Sequence, residues 1–345
     1  MRCVFTDFDE FADAIHGLNG RYIPTLPAQN TWWIEPLRIG RLDLQQLQIG
    51  APATYAGDGT PGNLTIAIPA TEPNTIRIDG QALAADEFIL IRDDHPFTCA
   101  AADVARWCGV TIPLSFREHE QFRDAAQWSE LKLSDMRVRT DEAARRQVSL
   151  LVALLCSGNE SINIFDPAAV AAAEEEILMA VSQLLRASDC LTEPNRLGRP
   201  PADRERIMGR CLAYIRENSG QPVFVSELCR AAAVSERTLR NVFYEFFGVG
   251  PLRFLKARQL QEVRAALLAP FSAGQAISHI AAHLGVWDFN TFSRHYRALY
   301  GETPAQTLSQ RRRPAQPAPL LGPDLASAQS WMNYALRRFA TLSAH

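Results

Sequence analysis

Seven side chains toward the C-terminal end of the chain have the types that read nucleic-acid base edges. Arg237, Arg240 and Asn241 form one cluster, and Asn290, Thr291, Ser293 and Arg294 form another. An arginine fork matches the two acceptors of guanine in the major groove. An asparagine amide matches adenine, and a threonine methyl can touch the methyl of thymine. Such groups carry sequence information only when a rigid element presents them outward to a groove that admits it.

The elements that hold the two clusters repeat. Ser235–Gly248 aligns with Asp288–Gly301 at an offset of 53 residues: Leu239 falls on Phe292, Phe243 on Tyr296, Phe246 on Leu299, Gly248 on Gly301 and Pro251 on Pro304. Apolar residues at i, i+4 and i+7 predict an amphipathic helix. The glycine supplies the left-handed residue that ends it, and the proline suits the first turn of the next helix. Upstream, Leu228–Val234 aligns with Ile280–Val286 at an offset of 52, so the second unit has one extra residue in its turn. Each upstream segment is a short helix rich in small residues, Ala231, Ala232 and Ala233 in one, Ala281, Ala282 and Gly285 in the other. Small residues let a second helix cross closely, and Ser235 or Asp288 caps that helix. Short helix, tight turn and amphipathic helix make a helix-turn-helix, whose second helix fits the major groove. With the apolar stripe buried, the seven base-reading side chains are left on the opposite face.

Pro251–Leu268 reads as one continuous helix between the units, with Leu252, Leu255, Leu260, Val263 and Leu267 expected inside and Arg253, Lys256, Arg258 and Arg264 outside. Recognition helices held about 34 Å apart by such a strut enter successive major grooves on one face of a duplex.

Residues 203–310 resemble the DNA-binding domain of the AraC/XylS family. The resemblance is carried by Leu228, Val234-Ser235, Leu239, Phe243, Gly248, Pro251, Arg258, Ile280-Ala281, Leu284-Gly285, Phe292-Ser293-Arg294, Gly301 and Pro304, and covers about a third of the chain. It implies a sequence-specific transcription regulator of bacterial origin that contacts bases through the two clusters. The chain departs from the family pattern by placing Asn241 where an arginine is usual, with Arg240 one residue earlier. Ser235, Arg253, Lys256, Arg258, His295 and Arg297 are the phosphate candidates, although the position of Arg258 often makes an internal ion pair in similar domains. His279 and His283 stand at i, i+4, a zinc-compatible spacing, but without a third ligand nearby, so no metal and no cofactor are expected.

Charge supports a polyanion partner for this part of the chain alone. Residues 1–198 carry a net charge of −12 and residues 199–313 a net charge of +8, within an overall −3. Seven scattered cysteines without a CxxC pair argue against a zinc ribbon or disulfide framework and suit reduced thiols. Asp7, Asp9 and Glu10 exclude a signal peptide at the start, and the longest apolar run, Val148–Cys156, is too short to span a bilayer. A cytoplasmic protein, on the nucleoid when bound, is expected.

Asp7–Gly20 reads as a short helix with Phe8, Phe11, Ala12 and Ile15 on one face and Gly17 and Gly20 at its end. Residues 38–117 change to period two: Leu64, Ile66 and Ile68 alternate with polar or small residues, as do Ile76 and Ile78 before the Asp79-Gly80 turn. Phe88–Ile91 and Val110–Leu114 are further apolar runs. Many short strands suggest a barrel or sandwich. Two helices follow, one with Ala144, Val148, Leu151 and Leu155, the other opened by Asp166-Pro167 and carrying Val170, Ile177, Val181 and Leu184. As an antiparallel hairpin they would serve a dimer contact or the core of a single chain equally well. The expected class is therefore α+β: a strand-rich sensor and dimerisation domain over 1–191, with strands at about 38–117 and helices at about 130–187. A linker over 192–202, an all-α domain with two helix-turn-helix units over 203–313, and a proline-rich spacer with a last amphipathic helix over 314–345 follow.

The first part resembles the sensor half of AraC-type regulators, most nearly the ethanolamine-utilisation operon regulator group, which implies a cupin-like barrel. Trp32, Trp33, Tyr55, His95, Phe97 and Trp107 are the candidates to line an effector pocket, with plain core packing as the alternative; Asp93-Asp94-His95 before Pro96 reads as a turn. A small-molecule effector, a homodimer and RNA polymerase are the expected partners besides double-stranded DNA. Three rivals stand beside this. A DNA-repair alkyl-transfer protein needs a nucleophilic cysteine in a Pro-Cys-His-type loop, which none of the seven has. A cupin metalloenzyme needs clustered His/Glu ligands, where the first part offers the isolated His95 and His119. The third is a DNA-binding regulator controlled by a protein partner. No enzyme activity is expected.

Overall fold

The period-two segments pair as antiparallel strands in two sheets. In the computed structural model, which describes residues 1–27, 30–71, 75–92, 97–118, 136–157, 166–190, 201–218, 220–268 and 276–310, the strands are β1 (Cys3–Phe5), β2 (Leu18–Pro24), β3 (Trp32–Ile39), β4 (Leu42–Ile49), β5 (Ala53–Gly59), β6 (Asn63–Pro69), β7 (Ile76–Ile78), β8 (Gln81–Ala82), β9 (Glu87–Ile91), β10 (Phe97–Ala101), β11 (Ala105–Pro113), β12 (Arg137–Arg139) and β13 (Asp189–Cys190). One sheet runs β1-β3-β4-β11-β6-β9-β12-β13 and the other β2-β5-β10-β7-β8.

Alternation along each strand sorts side chains to two cores. From the larger sheet, Leu42, Leu44, Leu64, Ile66, Ile68, Val110 and Ile112 face a helical hairpin, whose Val148, Val152, Ile177, Leu178 and Val181 complete a buried cluster. The hairpin consists of α2 (Glu142–Cys156) and α3 (Pro167–Arg186), each capped by an aspartate, Asp141 and Asp166. Residues of opposite parity, Trp32, Ile34, Leu47, Ile49 and Trp107, meet Tyr22, Tyr55, Ile76, Ile78, Phe97 and Cys99 of the smaller sheet. The register that does this pairs Ile34 with Leu47 and Val110 with Leu44.

The first helix, α1 (Phe8–Asp13), is capped by Asp7, whose Oδ1 accepts from the Asp9 N–H at 2.8 Å. It is shorter than the sequence suggests. Gly17 (φ +77°) makes the turn out of it, and Gly20 lies inside β2, where a Cβ would meet the Tyr55 hydroxyl oxygen at 2.3 Å. A close approach between strands, not a helix stop, explains that glycine.

The C-terminal part is helical: α4 (Pro201–Glu217), α5 (Val225–Ala232), α6 (Glu236–Phe247), α7 (Pro251–Leu268), α8 (Ile277–His283), α9 (Phe289–Tyr300) and α10 (Pro304–Gln310). It covers the outer face of the smaller sheet. Ile23 and Ala56, sequence neighbours of the inward Tyr22 and Tyr55, join Met208, Leu212, Leu228, Leu239, Phe243, Phe246 and Phe254 in one core. Four layers result: hairpin, larger sheet, smaller sheet, helical domain. The Asp93-Asp94-His95 turn, His119, most of the linker (192–200) and everything after Gln310 lie outside the described residues.

Candidate nucleic-acid interface

Each recognition helix is built by local chemistry that the two units share. In the first, α5 ends on Ala233 at φ +54°, and Ser235 caps α6 by accepting from the Thr238 N–H at 3.2 Å. In the second, Gly285 (φ +81°) ends α8, and the Asp288 carboxylate accepts from the Thr291 N–H at 3.0 Å. A bond from the Thr291 hydroxyl, together with that backbone bond, holds Asp288 below the usual carboxylate range. Ala233 takes the left-handed conformation at some strain, whereas Gly285 is required on contact grounds too, since a Cβ there would meet the Pro222 Cβ at 2.6 Å. Gly248 (φ +67°) and Gly301 (φ +71°) close α6 and α9.

The apolar stripes turn inward. Leu239 and Phe243 are fully buried with Phe246 nearly so, and Phe292 and Tyr296 match them in the second unit. Phe243 meets Phe247 and Phe254 edge-on, at 5.6 Å and 5.5 Å. The Tyr296 hydroxyl shares a hydrogen bond with Thr307 at 2.9 Å, and burial pushes its pKa up to about 12. At 100° per residue, the faces opposite these stripes carry Arg237, Asn241 and Tyr244 on α6, and Asn290, Arg294 and Arg297 on α9. All six are exposed.

The remaining candidates sit to the sides. Arg240 lies on the flank of α6 and pairs with Glu236 at 3.1 Å. Ser293 occupies the same flank of α9 and is half-buried, as is Thr291, whose hydroxyl accepts from Arg294 at 3.3 Å. Tyr244, 52% exposed, was not singled out from the sequence, although the repeat aligns it with Arg297. Trp287, 83% exposed in the second turn, was passed over as well.

The strut α7 departs most from expectation. Lys256 and Arg253 are exposed, but Arg253 donates through Nε to the Thr25 carbonyl at 3.2 Å. Arg258 and Arg264, expected outside, are each 5% exposed, and Leu252, expected inside, is 58% exposed. Arg258 is tied to Glu262 one turn on; burial pulls the arginine pKa down and pushes the glutamate up. It therefore cannot meet a phosphate without breaking that pair. Arg264 reaches the other domain, bonding Asp7, lying 3.4 Å from Asp9 and 3.7 Å from Glu302, with its guanidinium over the rings of Phe8 and Tyr300. Phe8 stacks on Tyr300 at 5.4 Å. These contacts reverse the outward assignment because α7 is buried on three sides: by the first unit, the second unit and the β2–α1 side of the smaller sheet. His295 and Arg297 are exposed, as are His279 and His283, and no group of three metal-ligating side chains occurs among the described residues.

Between the two sheets, Trp32, Tyr55, Phe97 and Trp107 face one core, while the adjacent Trp33 points to the other side of its sheet, under Arg2 at 4.1 Å. Consecutive residues of a strand cannot share a face, so Trp33 does not join a pocket with Trp32. The aromatic path runs Trp32–Tyr22–Tyr55–Phe97 at 5.6, 4.9 and 5.4 Å between ring centres. His95 lies outside the described residues.

Two capped recognition helices on one strut define the C-terminal part as a tandem helix-turn-helix domain. Residues 228–310 match the family model described as a helix-turn-helix domain. The XylDLEGF operon transcriptional activator of Pseudomonas putida is 32% identical over 101 residues, 29% of this chain and 32% of that protein. The probable thc operon regulatory protein of Rhodococcus erythropolis is 28% identical over 113 residues, 33% of this chain and 34% of its own. Among solved structures, the AraC-like transcriptional activator CuxR aligns over 82% of this chain and 99% of its own with 14% identity and a TM-score of 0.38. The chain thus spans about a third of the length of the curated relatives it matches. Its C-terminal part is thus a helix-turn-helix domain similar to the matching third of these transcriptional activators.

Proposed function

We propose that the protein is a sequence-specific, one-component transcription regulator that reads successive major grooves with α6 and α9. The observation that carries this is the matched pair of outer faces, Arg237-Asn241 and Asn290-Arg294, on helices whose opposite faces are locked into cores at the two ends of one continuous strut. Side chains of these types, presented from a rigid scaffold, suit base edges. Ser235, Arg253, Lys256, His295 and Arg297 flank them as phosphate contacts. The test is selection of duplexes from a random library by the full chain, followed by footprinting. Two protected major-groove tracts about 10 base pairs apart on one face are expected; failure to enrich any sequence overturns the reading.

The finer parts of the reading concern control. The α2–α3 hairpin exposes Leu150, Leu154 and Met179, at 52, 59 and 44%, an apolar strip suited to a homodimer that presents four recognition helices. The barrel core around Tyr55 and Trp32 serves as the effector region, and RNA polymerase is the partner through which bound protein acts. The place of work in this reading is the cytoplasm, where the DNA is; no helix among the described residues is long and apolar enough to cross a membrane. The continuous ring contacts from Trp32 to Phe97 favour a second reading, control by a protein partner without a small ligand. Titrating tryptophan fluorescence with small metabolites separates the two. Alkyl transfer fits poorly: burial pushes Cys99, Cys156 and Cys211 up to about 12, far from a reactive thiolate.

A further inference from the structure

The turn of the second unit is one residue longer than that of the first, and the extra residue is large and apolar. From the left-handed residue to the N-cap, the first unit uses Ala233-Val234-Ser235 and the second Gly285-Val286-Trp287-Asp288. Val234 and Val286 both pack against the core of their own unit. Trp287 is therefore the insertion. At 83% exposure it is, among the described residues, the most exposed large apolar side chain after Met1. The first unit closes its turn without such a residue, so the fold does not require one.

Its position relates it to the outer face of α9. It directly precedes Asp288, whose carboxylate fixes the first helical turn, and Asn290 and Arg294 project from the next turns. Phe289 follows, 40% exposed and leaning on Phe292 at 5.5 Å, so apolar surface continues from the turn to the buried stripe. Exposed Arg294 and Arg297 on the same helix give the surroundings a cationic character that suits a polyanion rather than an apolar protein surface. The thymine C5-methyl is the apolar feature of the major-groove edge, and it is met by apolar side chains at the N-terminal end of an entering helix.

We propose that Trp287 is a DNA-contacting residue that lays its indole against thymine methyl groups at the edge of the groove entered by α9. It adds an apolar contact to the polar readout by Asn290 and Arg294, and gives the second half-site a preference for thymine that the first lacks. The proposal rests on the reading of α9 as a groove-binding helix.

The test uses the full-length chain and duplexes it selects from a random library. Affinities of wild type, Trp287→Ala and Trp287→Phe are measured over a salt series on one selected duplex, and again with each thymine replaced in turn by deoxyuridine. Trp287→Ala should weaken binding on the order of tenfold without changing the salt slope, because an apolar contact releases no counterion. Trp287→Phe should keep most of the affinity. One or two deoxyuridine substitutions should weaken the wild type and leave Trp287→Ala unaffected. Equal affinity of wild type and Trp287→Ala overturns the proposal. So does a loss that no deoxyuridine position shares, which is the result if the indole rests on a sugar, on a partner protein or on the chain beyond Gln310. A wild type that enriches no sequence overturns the groove-binding reading itself, and this proposal with it.

Discussion

The first helix-turn-helix unit closes on a core that includes Ile23 and Ala56 of the smaller sheet, whereas the second closes on Val263, Leu267, Ile280, Ala281, Leu284, Phe292 and Tyr296 without any strand residue. Phe246 of the first unit lies so near the sheet that a Cβ on Gly80 would meet its ring at 3.1 Å. The second unit touches the N-terminal domain through side-chain tips, Tyr300 on Phe8 and Arg264 on Asp7. A unit that shares a core with the sheet moves only with it. One held by a ring stack and an ion pair is carried on the far half of α7 and can be released at smaller cost. The same motif is therefore expected to behave as a fixed foot in one half and a separable arm in the other.

The largest test of that contrast compares two core aromatics. Phe243→Ala should cost about 3–5 kcal/mol, since the residue is fully buried among Phe247 and Phe254. Hydrogen exchange should accelerate in β5 and β10 as well as in α5 and α6. Phe292→Ala should accelerate exchange in α8, α9 and the end of α7 while sparing both sheets. Equal spread of the two effects would break the comparison.

Next in size is Arg264→Met, which keeps the packing of the stem and removes the charge. Loss of the charged bond to Asp7 should cost about 2 kcal/mol. Exchange should rise in α1 and the C-terminal end of α9 and remain unchanged in α6. A change in α6 of equal size would mean that the two units move as one body.

The arms also differ in how free their arginines are. Arg294 lies on the outer face with a 3.3 Å bond to Thr291, while Arg240 is on a flank and paired with Glu236. Arg294→Ala should therefore cost about 1–3 kcal/mol in binding and relax one operator position, and Arg240→Ala should cost less. Affinities on single-substituted duplexes measure both, and an Arg294→Ala protein with wild-type selectivity removes that residue from the readout.

These contrasts were unevenly legible in the sequence. The strands of the larger sheet were readable because each face meets one core, so Leu64, Ile66 and Ile68 alternate cleanly. The capped recognition helices were readable because Ser235, Asp288, Gly248 and Gly301 act within a few residues of themselves. The strut was not. A helix touched on three sides loses its single stripe, and a basic residue such as Arg264 reads as solvated until its partner, 257 residues earlier, is known. Trp32 and Trp33 looked like one cluster because composition ignores the strand alternation that sends them to opposite faces. Trp287 was invisible for a different reason: the offset change from 52 to 53 marked an insertion, but only exposure distinguishes a residue left in solvent from one that fills a gap.

The smallest effect concerns the acidity of the contact that holds the arm. Burial, with the neighbouring Asp7 carboxylate, pushes Asp9 up to about 6, while Arg264 and Arg21 pull it down and Asp13 adds to the rise. An acid whose folded-state pKa exceeds its unfolded value binds its proton more tightly when folded, so stability from this group declines as pH climbs from about 4 to about 6. On that balance ionised Asp9 is expected to weaken the seat of α1 at neutral pH, even though its side chain is partly exposed and Arg264 lies 3.4 Å away, because Asp7 already takes the arginine's closer nitrogen. Asp9→Asn should raise the melting temperature slightly at pH 7.5 and leave it unchanged at pH 4, flattening the slope between. A variant that is instead less stable at pH 7.5 would show that the Asp9–Arg264 attraction outweighs burial and the Asp7 repulsion, and that the arm is held by two ion pairs rather than one.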